Sequence, residues 1–179
     1  MAATRPLFGG AITITLPTEL VDASDFRQVP DTQEVYLYPN SGISVIVEVL
    51  QSVNRKDMDG IARFHFDALA HDNDAEGQSV LDITCLSDIP GDAGQTPAPI
   101  VLTGTQLVRK YNRIETDEIR ILLAVYRVQD RNVDLVMSMN VPIKTSDGGA
   151  VSEDDWSSAK HTFDTAARSL RIVDYGLFA

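Results

Sequence analysis

The segment "IRILLAVYRV", residues 119–128, decides how this chain folds. With the two-residue period of a β-strand, Ile119, Ile121, Leu123 and Val125 share one face and Leu122, Ala124, Tyr126 and Val128 the other. A strand apolar on both faces has to be covered on both, so it belongs at the centre of a sheet with a layer on each side. The next segment, "VDLVMSMNV" (133–141), alternates: Val133, Leu135, Met137 and Met139 face one way and the opposite face is more polar. Outward from this pair, further apolar segments of period two or continuous character run over 11–16, 35–38, 43–50, 79–86 and 99–109. With the central two, taken as 118–128 and 132–141, they make seven strand candidates.

Two segments carry helical period. In "DMDGIARFHFDALAHD" (57–72), Met58, Ile61, Ala62, His65, Phe66 and Leu69 fall on one continuous stripe, by which that helix is expected to pack. The second helix is expected over about 153–169, with Ser152 as N-cap and Asp155 completing a shortened capping box. Trp156, Ala159, Phe163, Ala166 and Leu170 then point inward, and three acids lie at the positive end of the helix dipole. "IPGDAGQTPAPI" (89–100) and "KTSDGGAVS" (144–152) read as connections. Neither side of either loop can bury its apolar face alone, so residues 1–179 are expected to form a single domain. Consecutive strands with short links and two helices imply an α+β sandwich, a mainly antiparallel sheet with helices on its faces.

Length and composition fit that expectation. A chain of 179 residues buries roughly 70% of the surface its unfolded form exposes, enough for one core. Fifteen Lys and Arg against 26 Asp and Glu give a net charge of -11, which repels nucleic-acid phosphates and anionic lipid and suits a basic protein surface. The longest apolar run is "ILLAV", far below the ~20 residues that span a bilayer. The N-terminal "LFGGAITITL" reads as a strand rather than a secretion signal. The single cysteine, Cys85 in "SVLDITCLSDI", forms no internal disulfide and is expected as a small buried hydrophobe. A reducing compartment, nucleus or cytoplasm, follows.

Catalytic and cofactor chemistry finds little support. Gly9 and Gly10 precede a strand instead of opening a helix, and no Lys-Ser or Lys-Thr follows at phosphate-loop spacing. His65, His71 and His161 are scattered, and His65 sits on the apolar stripe of the first helix, as a core histidine with its ring hydrogen-bonded would. No metal-ligand spacing and no nucleophile elbow are present. Neither cofactor nor metal is expected.

Charge is distributed unevenly. Residues 100–135 hold six basic and five acidic groups, whereas residues 1–40 hold Glu19, Asp22, Asp25, Asp31 and Glu34 against Arg5 and Arg27. The acids lie in the link "PTELVDASDFRQVPDTQEVY" (17–36) between two strand candidates. One reading is a solvated loop in which Asp22 or Asp25 caps a short helical turn. The other is a stiff binding loop: Pro30 restricts it, Phe26, Val29 and Val35 pin it to the body, and its carboxylates lose little entropy on docking.

Several strings taken together, "GGAITITLP", "VDASDFRQVPDTQEVY", "SVIVEVL", "RFHFDAL", "DLVMSMNVP" and "VDYGLFA", resemble the Ran guanine nucleotide release factors, the Mog family of Ran-binding nuclear import proteins, and in particular its fungal members. The resemblance runs from Leu7 to Ala179. It implies a six-stranded antiparallel sheet with helices on both faces, akin to the PsbP protein of photosystem II. It also implies a protein of nucleus and cytoplasm, not an enzyme, that binds the small GTPase Ran, promotes release of its guanine nucleotide and holds the empty form; a monomer is expected. Carried over by motif, Asp22, Asp25, Asp31 and Glu34 are the expected Ran contacts. Glu48 is expected to add an acid on the same surface, while Gln51 stands where other members often have a second one. The competing reading is a scaffold or small-ligand module of the same fold.

Overall fold

The computed structural model describes residues 1–89 and 96–179; of the connection expected at 89–100, residues 90–95 lie outside the described residues. In chain order the regular elements are β1 (Ala2–Leu7), β2 (Ile12–Pro17), β3 (Val21–Asp22), β4 (Gln33–Leu37), β5 (Ser44–Gln51), α1 (Met58–Asp72), β6 (Ala75–Cys85), β7 (Ile100–Arg109), β8 (Thr116–Val128), β9 (Val133–Lys144), α2 (Glu153–Ser169) and β10 (Arg171–Ile172).

The main sheet has the order β3-β4-β5-β9-β8-β7-β6, every neighbour antiparallel. Six of its strands are those that the resemblance implies; the seventh, β3, is a two-residue extension of the edge. Segment 11–16 is a regular strand, β2, but it belongs to a separate sheet ordered β1-β2-β10. Its partner β1, with the pattern AATRPL, lacks the apolar alternation that would mark it as a strand.

β8 lies between β9 and β7 and is buried on both faces. Ile121, Leu123 and Val125 pack with Ile61, Ala62 and Phe66 of α1. On the opposite face, Leu122, Ala124, Tyr126 and Val128 pack with Ala159, Phe163, Ala166 and Ala167 of α2 and with Ile12, Ile14 and Leu16 of β2. The second layer is tied by hydrogen bonds as well. The buried Tyr126 hydroxyl donates to the Ala167 carbonyl at 2.6 Å, and burial pushes its pKa up. The Thr15 N–H donates to Ser169 Oγ at 2.9 Å, joining β2 to the end of α2. The α2 N-terminus is a complete capping box, with Ser152 Oγ accepting from the Asp155 N–H and Asp155 accepting from the Ser152 N–H. Two residues depart from expectation: Met58 lies at the exposed margin of the α1 stripe, and Cys85 ends β6 only partly buried.

The polar face of β9 is buried too, beneath α1, and it is satisfied internally. Asp134 is 0% exposed. Its Oδ2 lies 2.7 Å from His65 Nε2 and accepts from the Val53 N–H at 3.2 Å, while its Oδ1 accepts from Arg127 Nε at 2.9 Å. The same guanidinium donates to the carbonyls of Val53 and Arg55. One carboxylate thus fixes α1, β8 and the β5–α1 connection together. Burial alone raises the Asp134 pKa, but hydrogen bonds from His65, Arg127 and the Val53 N–H outweigh it and the net direction is down.

A carboxylate with a depressed folded pKa contributes stability above its unfolded value of about 3.9, and that contribution is lost as pH falls through the folded value. Replacing Asp134 by Asn leaves the partly buried Arg127 without its counter-charge and is expected to cost about 3 kcal/mol at pH 7. In urea unfolding at a series of pH values, the variant should also lose less stability than the parent on acidification. Gly104 supplies a second test. A Cβ there would stand 2.6 Å from Phe66 Cζ and 2.9 Å from the Ser79 carbonyl oxygen. Gly104→Ala is therefore expected to cost about 1 to 3 kcal/mol through overpacking of α1 against β7, read as a fall in melting temperature.

Candidate functional site

The acidic link runs along the β3–β4 edge of the main sheet, and local hydrogen bonds fix its path. Asp22, the last residue of β3, accepts from the Ser24 N–H at 2.8 Å and the Ser24 hydroxyl at 2.7 Å, capping a 3-10 turn over Ala23–Asp25. Ala23 is fully buried, and its carbonyl accepts from the N–H groups of Phe26 and Arg27 at 3.2 and 3.0 Å. The chain then crosses the surface and turns at Pro30, whose carbonyl accepts from the Gln33 N–H at 2.9 Å. The Thr32 carbonyl accepts from the Val49 N–H, also at 2.9 Å, and locks the start of β4 to β5. Asp25 and Asp31 project into solvent from these fixed points.

Register sorts the remaining acids. Asp22 pairs with Tyr36, and Glu34 lies two residues before Tyr36 on β4, so the three share a sheet face. Burial raises the Tyr36 pKa to about 12, helped by the negative charges of Glu34 and Asp22 and opposed by Arg5; Asp25 adds to the rise. Glu48 lies on the other face: it pairs with Gln33, whose Nε2 donates to Glu48 Oε1 at 3.0 Å. Gln51, three residues on, falls on the face opposite to Glu48. The structure thus brings Asp22, Asp25 and Glu34 together around Tyr36, sets Asp31 at the turn beyond them and places Glu48 across the sheet.

The basic side chain beside Tyr36, Arg5, is committed to the main chain. Arg5 Nη2 donates to the carbonyls of Pro17, Thr18 and Leu20 at 3.0, 2.8 and 3.1 Å, and its guanidinium carbon stands 5.3 Å from the centre of the Tyr36 ring. Among the described residues none of Asp22, Asp25, Asp31, Glu34 and Glu48 takes part in an ion pair. Two features escaped the sequence. Phe26, expected with Val29 and Val35 to pin the loop, is 60% exposed; Val35 is buried as expected, and Ala23 rather than Phe26 holds the link down beside it. The Phe8-Gly9-Gly10 turn between β1 and β2 has φ of 49°, 66° and 95°, and it leans on Glu34, whose Oε1 accepts from the Phe8 N–H at 2.6 Å. The Gly-Gly pair was the available sign of a left-handed turn, but nothing local named Glu34 as its partner.

Other chemistry stays sparse. The described residues contain no group of three or more His, Cys, Asp or Glu able to hold a metal, and no described helix is long and apolar enough to cross a membrane. A cleft of about 530 Å³ opens at the opposite end of the sheet, beyond α1. Its charges neutralise one another, with Lys110 at 3.3 Å from Asp117 and 3.0 Å from Asp147.

Comparison with known proteins gives a consistent result. The model of a family described as the Ran-interacting Mog1 protein matches residues 5–142. The nuclear import protein mog1 of Schizosaccharomyces pombe is 30% identical, over 97% of this chain and 98% of its own length. The Ran guanine nucleotide release factor of Danio rerio is 28% identical over 97% and 98%, and its Homo sapiens namesake 33% identical over 76% and 74%. In three dimensions the Ran-binding protein Mog1p of Saccharomyces cerevisiae superposes with a TM-score of 0.75 at 24% identity, covering 100% of this chain and 99% of the other. That likeness shows the fold.

The Glu34 contact determines how this site can be dissected. Glu34→Ala leaves the Phe8 N–H without its acceptor and is expected to cost about 1 to 2 kcal/mol of folding stability. Glu34→Gln retains an acceptor oxygen and removes only the charge, so its urea midpoint should stay close to the parent's.

Proposed function

Since the chain belongs to the Mog1 family of Ran-interacting proteins, we propose that it binds Ran, promotes release of its guanine nucleotide and holds the nucleotide-free GTPase, in support of nuclear protein import. It works in nucleus and cytoplasm, as a monomer and without a covalent step. The observation that carries this reading is a fixed row of carboxylates, Asp22, Asp25, Asp31 and Glu34, with no ion-paired cation of the protein's own among the described residues. Glu48 extends the negative surface on the other side of the sheet edge.

The mechanism follows from charge and linkage. A GTPase holds its nucleotide with a lysine, backbone N–H groups and a magnesium ion. Carboxylates brought up to those positive groups compete with phosphate for them and repel the nucleotide that remains. Binding the empty form more tightly than the loaded form then lowers nucleotide affinity by the same factor. The acids need no proton transfer for this; they have to be ionised, held in place and free of an internal counter-charge. Asp31 and Glu34 flank the turn into β4 and are the residues assigned the largest share.

The test is the rate at which Ran releases labelled GTP with and without this protein. Acceleration is expected, saturating with its concentration. Asp31→Ala combined with Glu34→Gln should abolish both the acceleration and capture of nucleotide-free Ran while the circular dichroism stays native. Removing one desolvated carboxylate should weaken the complex by about 2 to 5 kcal/mol. Full acceleration by the double variant would remove the acidic edge from the mechanism.

A further inference from the structure

We propose that Phe26 is the apolar anchor of this interface, a side chain that inserts into a recess of the GTPase while Asp22, Asp25 and Asp31 engage the basic surface around it. The proposal rests on the Ran reading above and names the group that gives the complex its lifetime.

Phe26 stands 60% exposed on a segment that is otherwise held still. Its N–H and that of Arg27 both bond the carbonyl of buried Ala23, and Asp22 caps the turn leading into it. The backbone is therefore positioned while the ring is left in water, where one of the largest single gains from burial goes unrealised. A second apolar side chain, Val21, is also exposed on the same connection. Charge complementarity identifies the occupant. Residues 18–38 carry Glu19, Asp22, Asp25, Asp31 and Glu34 against a single base, Arg27, so an apolar probe there meets only a partner that offers cations around a cavity. Two other strongly exposed apolar side chains, Tyr111 and Ile114, lie in the β7–β8 turn, outside the acidic segment.

An aromatic residue surrounded by charged ones has the anatomy of an interface hot spot. The two kinds of group act on different rates. Exposed carboxylates steer the encounter, set the association rate and lose influence as salt rises, whereas a buried aromatic sets the dissociation rate and is indifferent to salt. Carboxylates that stay at the solvated rim would speed the encounter but add little to the lifetime of the complex at physiological ionic strength. Phe26 supplies what the acids cannot.

The experiment measures association and dissociation of nucleotide-free Ran at low and high salt for the parent, Phe26→Ala, Phe26→Leu and Asp25→Asn. Phe26→Ala should weaken binding about 30-fold, nearly all of it in the dissociation rate and by the same factor at both salt concentrations, with an unchanged melting temperature. Phe26→Leu should recover most of the loss, and Asp25→Asn should slow association chiefly at low salt. If the parent binds Ran and Phe26→Ala stays within about threefold of it, the anchor is refuted and the Ran reading stands. A Phe26→Ala loss that comes with a lowered melting temperature and is not relieved by Phe26→Leu refutes it too. A parent that fails to bind Ran at either salt removes the Ran reading, and the anchor with it.

Discussion

The two-sided burial of β8 is the constraint on which the remaining structure depends. Alternate residues of a strand point to opposite faces, so Ile121, Leu123 and Val125 require one covering layer and Leu122, Ala124 and Tyr126 another. Both helices are amphipathic and fill those roles, and β2 completes the second layer with Ile12, Ile14 and Leu16. A consequence falls on β9. Its apolar face joins the α2 layer, so its other face is forced under α1 together with Asp134. A buried carboxylate is tolerated only when its oxygens are fully occupied. His65, Arg127 and the Val53 N–H occupy them, and in doing so set the start of α1 relative to the sheet.

Away from β8 the sheet tapers toward the acidic edge, from the 12 residues of β9 to 8 in β5, 5 in β4 and 2 in β3. A shortening strand frees its chain from the ladder, and the 3-10 turn after Asp22 begins where pairing ends. The link between β3 and β4 is thus a surface segment whose two ends are sheet. Its carboxylates are displayed by a scaffold with little freedom left to lose, which separates it from a floppy acidic tail of the same composition. The same arrangement explains why Arg5 does not cancel the charge. That side chain closes the start of the link by binding the carbonyls of Pro17, Thr18 and Leu20, and a guanidinium so occupied is poorly placed to meet Asp22 or Glu34 as well.

The central strand, both helices and the α2 capping box were legible because each is encoded in one short window: a two-sided apolar run, a continuous stripe, and a Ser followed three residues later by an acid. His65 as a core histidine could be read from its place on the stripe. Its partner Asp134 could not, since the two are 69 positions apart and meet only through the sheet. β1, β3 and β10 were missed for a related reason. They carry no period of their own and are strands only because β2 and β4 lie beside them. At the candidate site, the acids were visible as a local excess of charge and as a family string, but their partition between two faces was not. One residue of register sends Glu34 and Gln33 to opposite sides of β4 and carries Glu48 with the latter. Phe26 was misread because an aromatic residue in a loop is ordinarily tucked in, and only the course of the turn shows that this one is not.

Glu34 unites the structural and functional halves of the site. An ionised carboxylate has room for about four hydrogen bonds, and the Phe8 N–H takes one of them on Oε1. Oε2 remains available, so a partner cation can be accepted without breaking the contact that supports the strained β1–β2 turn. That contact has already restricted the side chain. The rotamer entropy a free surface glutamate would lose on docking was lost here on folding, and the loss is recovered in part by stabilising a non-glycine residue at φ of 49°. A charge placed this way is worth more to a binding partner than an identical charge on a mobile side chain, and it couples the N-terminal hairpin to whatever occupies the acidic edge. Asp25, which has no such tether, contributes to the field of the edge more than to its geometry.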